Sequence, residues 1–175
     1  MKEAQENKAP TKTLLLNDNS NSIPFIKTFR YLGTLITPEL NKDINIQTRI
    51  KQAKSQMGFL WHFFMNKDVD QWVKYWLYLS GPVNMLLWGC KSRNLADKNL
   101  RCLKSFHHLA VRRILGIKWE QVMEDKIMNE EVFMRFNNIP EIDAFIMRWT
   151  STYIGKVIRT KKMNLPRKLL GAWIC

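Results

Sequence analysis

Ile46, Ile50, Ala53, Met57, Leu60 and Phe64 stand at alternating steps of four and three residues. Only an α-helix gathers that spacing onto one side, so the segment predicts a helix with a single apolar stripe, starting near Asp43 and ending near Asn66. Arg49, Lys51, Lys54 and Gln52 fall largely on its other faces. Asp43 or Asn41 is the expected N-cap. A stripe of that length needs partners, and the 175-residue chain can supply them: 46% of its residues are hydrophobic, with only seven Gly and six Pro. A chain of this size can bury roughly 70% of its unfolded surface, enough for a core without staples.

The segments that follow carry the same period. Asp68 is a capping residue for a second helix that directs Val69, Trp72, Val73, Trp76 and Leu77 toward the core, and Gly81-Pro82 should break or bend it before Val83, Leu86 and Leu87 resume. A third helix spans about Asp97 to Leu115, with Leu100, Leu103, Phe106 or His107, Ala110 and Ile114 on one side and Gly116 as its stop. Its exposed set is cationic: Lys98, Arg101, Lys104, Arg112 and Arg113. An acidic pair of short helices then runs from Trp119 to Met128 and from Asn129 to Phe136, closed by Asn137-Asn138-Ile139-Pro140. The last long helix, from about Glu141 to Arg159, buries Ile142, Phe145 or Ile146, Trp149, Tyr153 and Val157 and leads into Lys161, Lys162, Arg167 and Lys168. Trp61, Trp88, Trp119 and Trp149 sit mostly at core spacing, although any of them could in principle stack on a base.

Ahead of these helices the period is two. Lys12 to Leu16 and Ile23 to Ile26 are short strand candidates separated by the turn-forming run from Asn17 to Ser22. Thr28 to Thr37 alternates β-branched and aromatic residues and is interrupted at Gly33, where a bulge or tight bend is expected. The fold class is therefore mainly α, a helical bundle preceded by a short β-hairpin unit. The expected organisation is a lead-in over 1–11, the β-unit over 12–37, a helical bundle over 38–118 and a helical extension over 119–175.

Net charge is +13, distributed as +4 over residues 1–83, +7 over 84–118, −5 over 119–143 and +7 over 144–175. Basic blocks segregated onto helices suit a polyanion, with the acidic segment facing away or neutralising one of them. Three cysteines, Cys90, Cys102 and Cys175, form no disulfide framework, and a reducing compartment, cytoplasmic or nuclear, is expected. The charged first eight residues have no apolar core and are not a secretory signal. Trp72 to Cys90 is the most apolar stretch, but Lys74, Asn84 and Gly81-Pro82 suit a kinked buried helix better than a membrane span.

Phe29-Arg30-Tyr31-Leu32-Gly33 resembles the Phe-x-Tyr-Leu-Gly primer grip of reverse transcriptases from non-long-terminal-repeat retrotransposons. Further matches follow in order: Arg49-Ile50 and Ala53; Leu77-Tyr78 with Ser80; and Leu86-Leu87-Trp88-Gly89-Cys90. Phe106-His107 with Arg113-Ile114-Leu115-Gly116-Ile117 comes next, then Asn129-Glu130 with Val132, and Ile154-Gly155 with Val157 and Arg159. Over about residues 12 to 173 the chain is similar to the primer grip, the thumb and the connector that follows it, without the catalytic palm. It departs from the family at Gly81-Pro82. The resemblance implies a thumb-like bundle that lays cations along a template-primer duplex, an RNA/DNA partner contacted through its backbone without sequence preference. Phe29, Tyr31, Leu32 and Gly33 would be the primer grip, and Arg49, Lys51 and Lys54 would contact phosphates. Lys104, Arg112 and Arg113 form a second cationic set, argued from charge and helical position alone.

Polymerisation in that family needs carboxylates holding two Mg ions, including paired aspartates, and no Asp-Asp pair occurs in this sequence. Asp68 and Asp70 read as a cap and an exposed residue. Cys102, His107 and His108 do not make a four-ligand zinc set. The sequence also lacks a nucleophile elbow and a phosphate-binding glycine loop. The expectation is a non-catalytic chain with no cofactor and no membrane association, with a palm-containing polymerase chain as a candidate partner. Two alternatives stand beside it: a helical protein-protein interaction module, and a truncated relic of an element.

Overall fold

The structure is a computed structural model that describes residues 13–15, 22–24, 26, 28–31, 33–37, 42–90, 95–160 and 166. The lead-in over 1–11, the capping candidate Asn41, the basic residues Lys161, Lys162, Arg167 and Lys168, and Cys175 lie outside the described residues. The chain divides into two compact units, residues 1–45 and 46–175.

In the first unit β1 (Thr13–Leu15) pairs antiparallel with β2 (Ser22–Pro24), and β3 (Phe29–Tyr31) pairs antiparallel with β4 (Thr34–Ile36). The β-unit is thus two separate two-stranded ladders. The register Tyr31 to Thr34, Arg30 to Leu35 and Phe29 to Ile36 leaves a two-residue turn. Gly33 takes φ +76° there, the left-handed region that glycine enters without a Cβ penalty. Leu35 is left with its N–H and C=O facing away from β3, and the Asn45 carboxamide takes both, each at 2.7 Å. A buried side chain thereby replaces a missing strand neighbour.

The helices are α1 (Lys42–Phe59), α2 (Trp61–Met65), α3 (Gln71–Tyr78), α4 (Asn84–Leu86), α5 (Asp97–Ile114), α6 (Trp119–Glu124), α7 (Asn129–Arg135) and α8 (Ile142–Arg159). The protein is mainly helical, with a short antiparallel hairpin ahead of the helices. Asp43 lies in the first turn of α1, where its charge complements the helix dipole. The stripe is buried from Ile46 through Met57 and again at Phe64, with Leu60 half-buried at the step between α1 and α2.

Asp70, not Asp68, caps α3: its carboxylate accepts from the Trp72 N–H at 2.6 Å. Pro82 does not end the helix. Residues Leu79–Val83 form a π-helical turn and the helix continues into α4, the wider turn relieving the clash between the proline ring and the preceding carbonyls. The buried face of this segment is Tyr78, Pro82, Val83, Leu86 and Leu87. Trp72, Val73 and Trp76, expected in the core, are each more than half exposed.

α5 is the central helix of the second unit. Leu103, Phe106, His107, Ala110, Val111 and Ile114 are buried along it, and it packs against α7 and α8. It ends as expected at Gly116, φ +70°, with Gly116 N–H donating to the Arg113 carbonyl and Ile117 N–H to the Arg112 carbonyl. That pair of bonds is a Schellman stop. Beyond it, Gln121 caps α6 by accepting from the Lys118 N–H, and Asn137 and Asn138 turn the chain with positive φ before α8. In α8, Ile142, Phe145 and Val157 are buried and Trp149 is partly so, whereas Tyr153 points outward. Trp88 and Trp119 are likewise exposed and Trp61 is only partly covered, so the expectation that these three tryptophans belong to the core does not hold. Among the described residues no helix is long and apolar enough to cross a membrane.

Candidate nucleic-acid interface

The hairpin displays Phe29 and Tyr31 on one side of β3, both about half exposed, with ring centroids 6.4 Å apart and planes 22° from parallel. Alternation along a strand puts residues i and i+2 on one face, which is why these rings sit together. Gly33 occupies the turn beside them. Leu32 lies outside the described residues.

On α1 the three predicted cations part company. Lys51 and Lys54 are exposed. Arg49 is buried, with only 5% of its surface accessible. Its guanidinium donates to the Gln52 carboxamide at 3.1 Å and lies 5.9 Å from the centroid of the Trp88 ring. The correction follows from the width of the buried face: Asn45 and Arg49 flank Ile46 and Ile50, so the face is one column broader than the apolar stripe. An arginine stem can fill such a column while its head finds a ring and an acceptor.

The second cationic set is also divided. Lys104 makes an ion pair with Asp143 at 2.7 Å. That contact holds the ammonium above its usual pKa and the carboxylate below the usual range. Arg112 is half-buried and donates to the Asn129 side-chain oxygen, and its Nε is enclosed without an acceptor among the described residues. Neither is therefore the exposed phosphate ligand that helical position alone suggests. Arg113, one residue on, is exposed, and its side chain has no hydrogen bond or ion pair among the described residues.

Arg113 and Lys54 meet at one place. They rim a groove of about 520 Å³ whose other lining residues are Met57, Gly58, Trp61, Phe106, Leu109 and Ala110. One wall comes from α1 and the start of α2, the other from α5. Among the described residues no acidic residue lines it. The juxtaposition is long-range and invisible to spacing; the signals were the exposed Leu109, off the apolar face of α5, and a glycine inside α1.

The histidines serve the interior. His107 Nε2 faces the Pro140 carbonyl at 3.1 Å and so carries the proton, and Nδ1 accepts from the Tyr78 hydroxyl at 2.8 Å. Burial pushes the imidazole down to about 4, against the Pro140 hydrogen bond, which raises it, and with the His108 charge adding to the depression. Burial also pushes the Tyr78 phenol up. His108 Nε2 reaches the Glu141 carboxylate at 3.0 Å. Among the described residues no three His, Cys, Asp or Glu side chains are grouped as metal ligands.

No known protein-family model matches the chain, and neither the curated proteins nor the solved structures contain a significant match.

Proposed function

We propose that the chain contacts the backbone of a template-primer duplex as the non-catalytic, thumb-like portion of a retrotransposon reverse transcriptase, with any polymerase chemistry supplied by a palm-bearing chain. The observation that carries the reading is the set of exposed cations Lys51, Lys54 and Arg113. They have no internal partner among the described residues, on a chain of net charge +13. Cations left unneutralised on helices are available to phosphates, and they position a duplex without reading its sequence. The exposed, stacked Phe29 and Tyr31 support the same reading at the hairpin, where the resemblance puts the primer grip.

Fluorescence anisotropy of the full chain with an RNA/DNA hybrid over a salt series tests it. Three phosphate contacts give a slope of about −2.7 in log affinity against log salt. Changing Lys51, Lys54 and Arg113 together to Ala should flatten the slope toward zero, whereas Lys104→Ala should leave it unchanged. A slope near zero for the parent chain removes the proposal. One observation favours a second reading, a helical protein-interaction module: Trp72, Val73 and Trp76 form an exposed apolar cluster on α3, with Trp72 stacked on Tyr75 at 5.3 Å.

A further inference from the structure

Neither packing nor a left-handed backbone requires glycine at Gly58. It lies in the last turn of α1, one residue before the helix ends, and it is not in the left-handed region. A Cβ built on it meets nothing within 4 Å, so no packing contact excludes a side chain. The space it leaves open is the groove between α1 and α5, where Gly58 stands with Ala110 among the lining residues. Trp61 and Leu109 offer a visitor exposed apolar contact above a nearly buried floor of Met57 and Phe106, and Lys54 and Arg113 offer it positive charge.

We propose that this groove docks an acidic amphipathic helix of a partner protein, its apolar side chains on Trp61 and Leu109 and its carboxylates on Lys54 and Arg113. In the helix-in-groove mode, residues at i, i+3 or i+4 and i+7 of the visitor enter an apolar trough. Charge complementarity selects the acidic class: among the described residues the groove holds two cations and no acid. A duplex backbone would satisfy those cations and leave the apolar walls wet, so the groove is better matched to a peptide than to nucleic acid. The inference goes beyond the duplex-binding reading and does not depend on it, although both draw on Lys54 and Arg113, so peptide and duplex should compete.

The test is selection of a displayed library of helix-forming peptides against the full chain, followed by anisotropy with the selected peptides. Enriched sequences should carry apolar residues at i, i+4 and i+7 flanked by Asp or Glu. Gly58→Leu, which fills the groove from within, should weaken them by about tenfold or more. Gly58→Ala, with only a methyl in open space, serves as the folded control. Lys54→Glu with Arg113→Glu alters exposed side chains and should also weaken binding by about tenfold or more, through like-charge repulsion. Enrichment without the acidic-apolar pattern, no enrichment, or affinity for the Gly58→Leu or the charge-reversed chain equal to that for the parent chain overturns the proposal. So does a result in which the RNA/DNA hybrid, and no peptide, is displaced by Gly58→Leu. Hybrid binding that survives Gly58→Leu keeps the duplex reading whatever the peptides do.

Discussion

The two sides of α5 use similar residues for opposite ends. Toward α7 and α8, Lys104, His107, His108 and Arg112 are committed to Asp143, the Pro140 carbonyl, Glu141 and Asn129. Toward α1, Arg113 stands over apolar residues with no such partner among the described residues. The acidic segment from Trp119 to Asp143 accounts for the difference: it supplies acceptors to one side and not to the other. Positive charge in a sequence marks a possible surface, but the availability of that charge is set by what folds against it.

The committed side should show the largest response to mutation. His107→Ala removes a buried ring and leaves both the Tyr78 hydroxyl and the Pro140 carbonyl without their partner, so unfolding in denaturant should show a loss of about 3 to 4 kcal/mol. Arg113→Ala on the other side should change stability by less than about 0.5 kcal/mol. Comparable losses from the two would dissolve the distinction between the sides.

Acid should act on the committed side next. The folded-state pKa of His107 is depressed to about 4 from an ordinary value of 6.5, so between those values the unfolded chain binds the extra proton. The resulting stability is present in full above about pH 6.5 and is lost as pH falls toward 4, amounting to about 3 kcal/mol. Denaturant midpoints measured from pH 7 to pH 4 should fall accordingly, and the fall should be much reduced in Tyr78→Phe/His107→Leu, which replaces the polar pair with apolar groups. An equal fall in that variant would assign the acid sensitivity elsewhere.

These sides differ in how far they can be read from sequence. The α1 stripe, the extent of α5 and its Gly116 stop are local signals, carried by spacing and a required backbone conformation, and they match the structure. The phase of α3 is not local in the same way. Its capping residue is Asp70, and Tyr78 enters the core with a hydroxyl satisfied by His107 while Trp72 and Trp76 turn outward; the π turn around Pro82 then shifts the faces beyond it. Arg49 misleads for a related reason: charge suggests exposure, but its stem and the Trp88 ring make burial favourable. The pairing of Lys54 with Arg113 around one groove depends on residues 59 apart in sequence, and no periodicity reports that. Lys104 and Arg112 were legible as helical cations, and their partners were legible as an acidic block, but the specific contacts were not.

A middle-sized effect tests Arg49 itself. Arg49→Met keeps an unbranched stem in the buried column and should cost no more than about 1.5 kcal/mol, whereas Arg49→Ala leaves that column unfilled and should cost about 2 kcal/mol or more. Both should bind the RNA/DNA hybrid as the parent does, because a buried guanidinium is not a phosphate ligand. Hybrid affinity that falls with Arg49→Met, at unchanged stability, would return Arg49 to the interface.

The smallest effect makes the sharpest comparison. Lys104 and Lys54 are both helical lysines, one paired with Asp143 and one at the groove. The pair at Lys104 is partly exposed, 33% and 46% for its two side chains, so water screens it and Lys104→Ala should cost about 0.5 kcal/mol. Its pH signature has two edges: the lysine's raised pKa gives stability that is lost as alkali titrates it, and the lowered pKa of Asp143 gives stability that is lost in acid. Lys54→Ala should cost nothing measurable, yet it should weaken hybrid binding where Lys104→Ala does not. A double dissociation of that kind, stability moving with one lysine and binding with the other, would tie the function of this chain to the cations its own fold leaves unused.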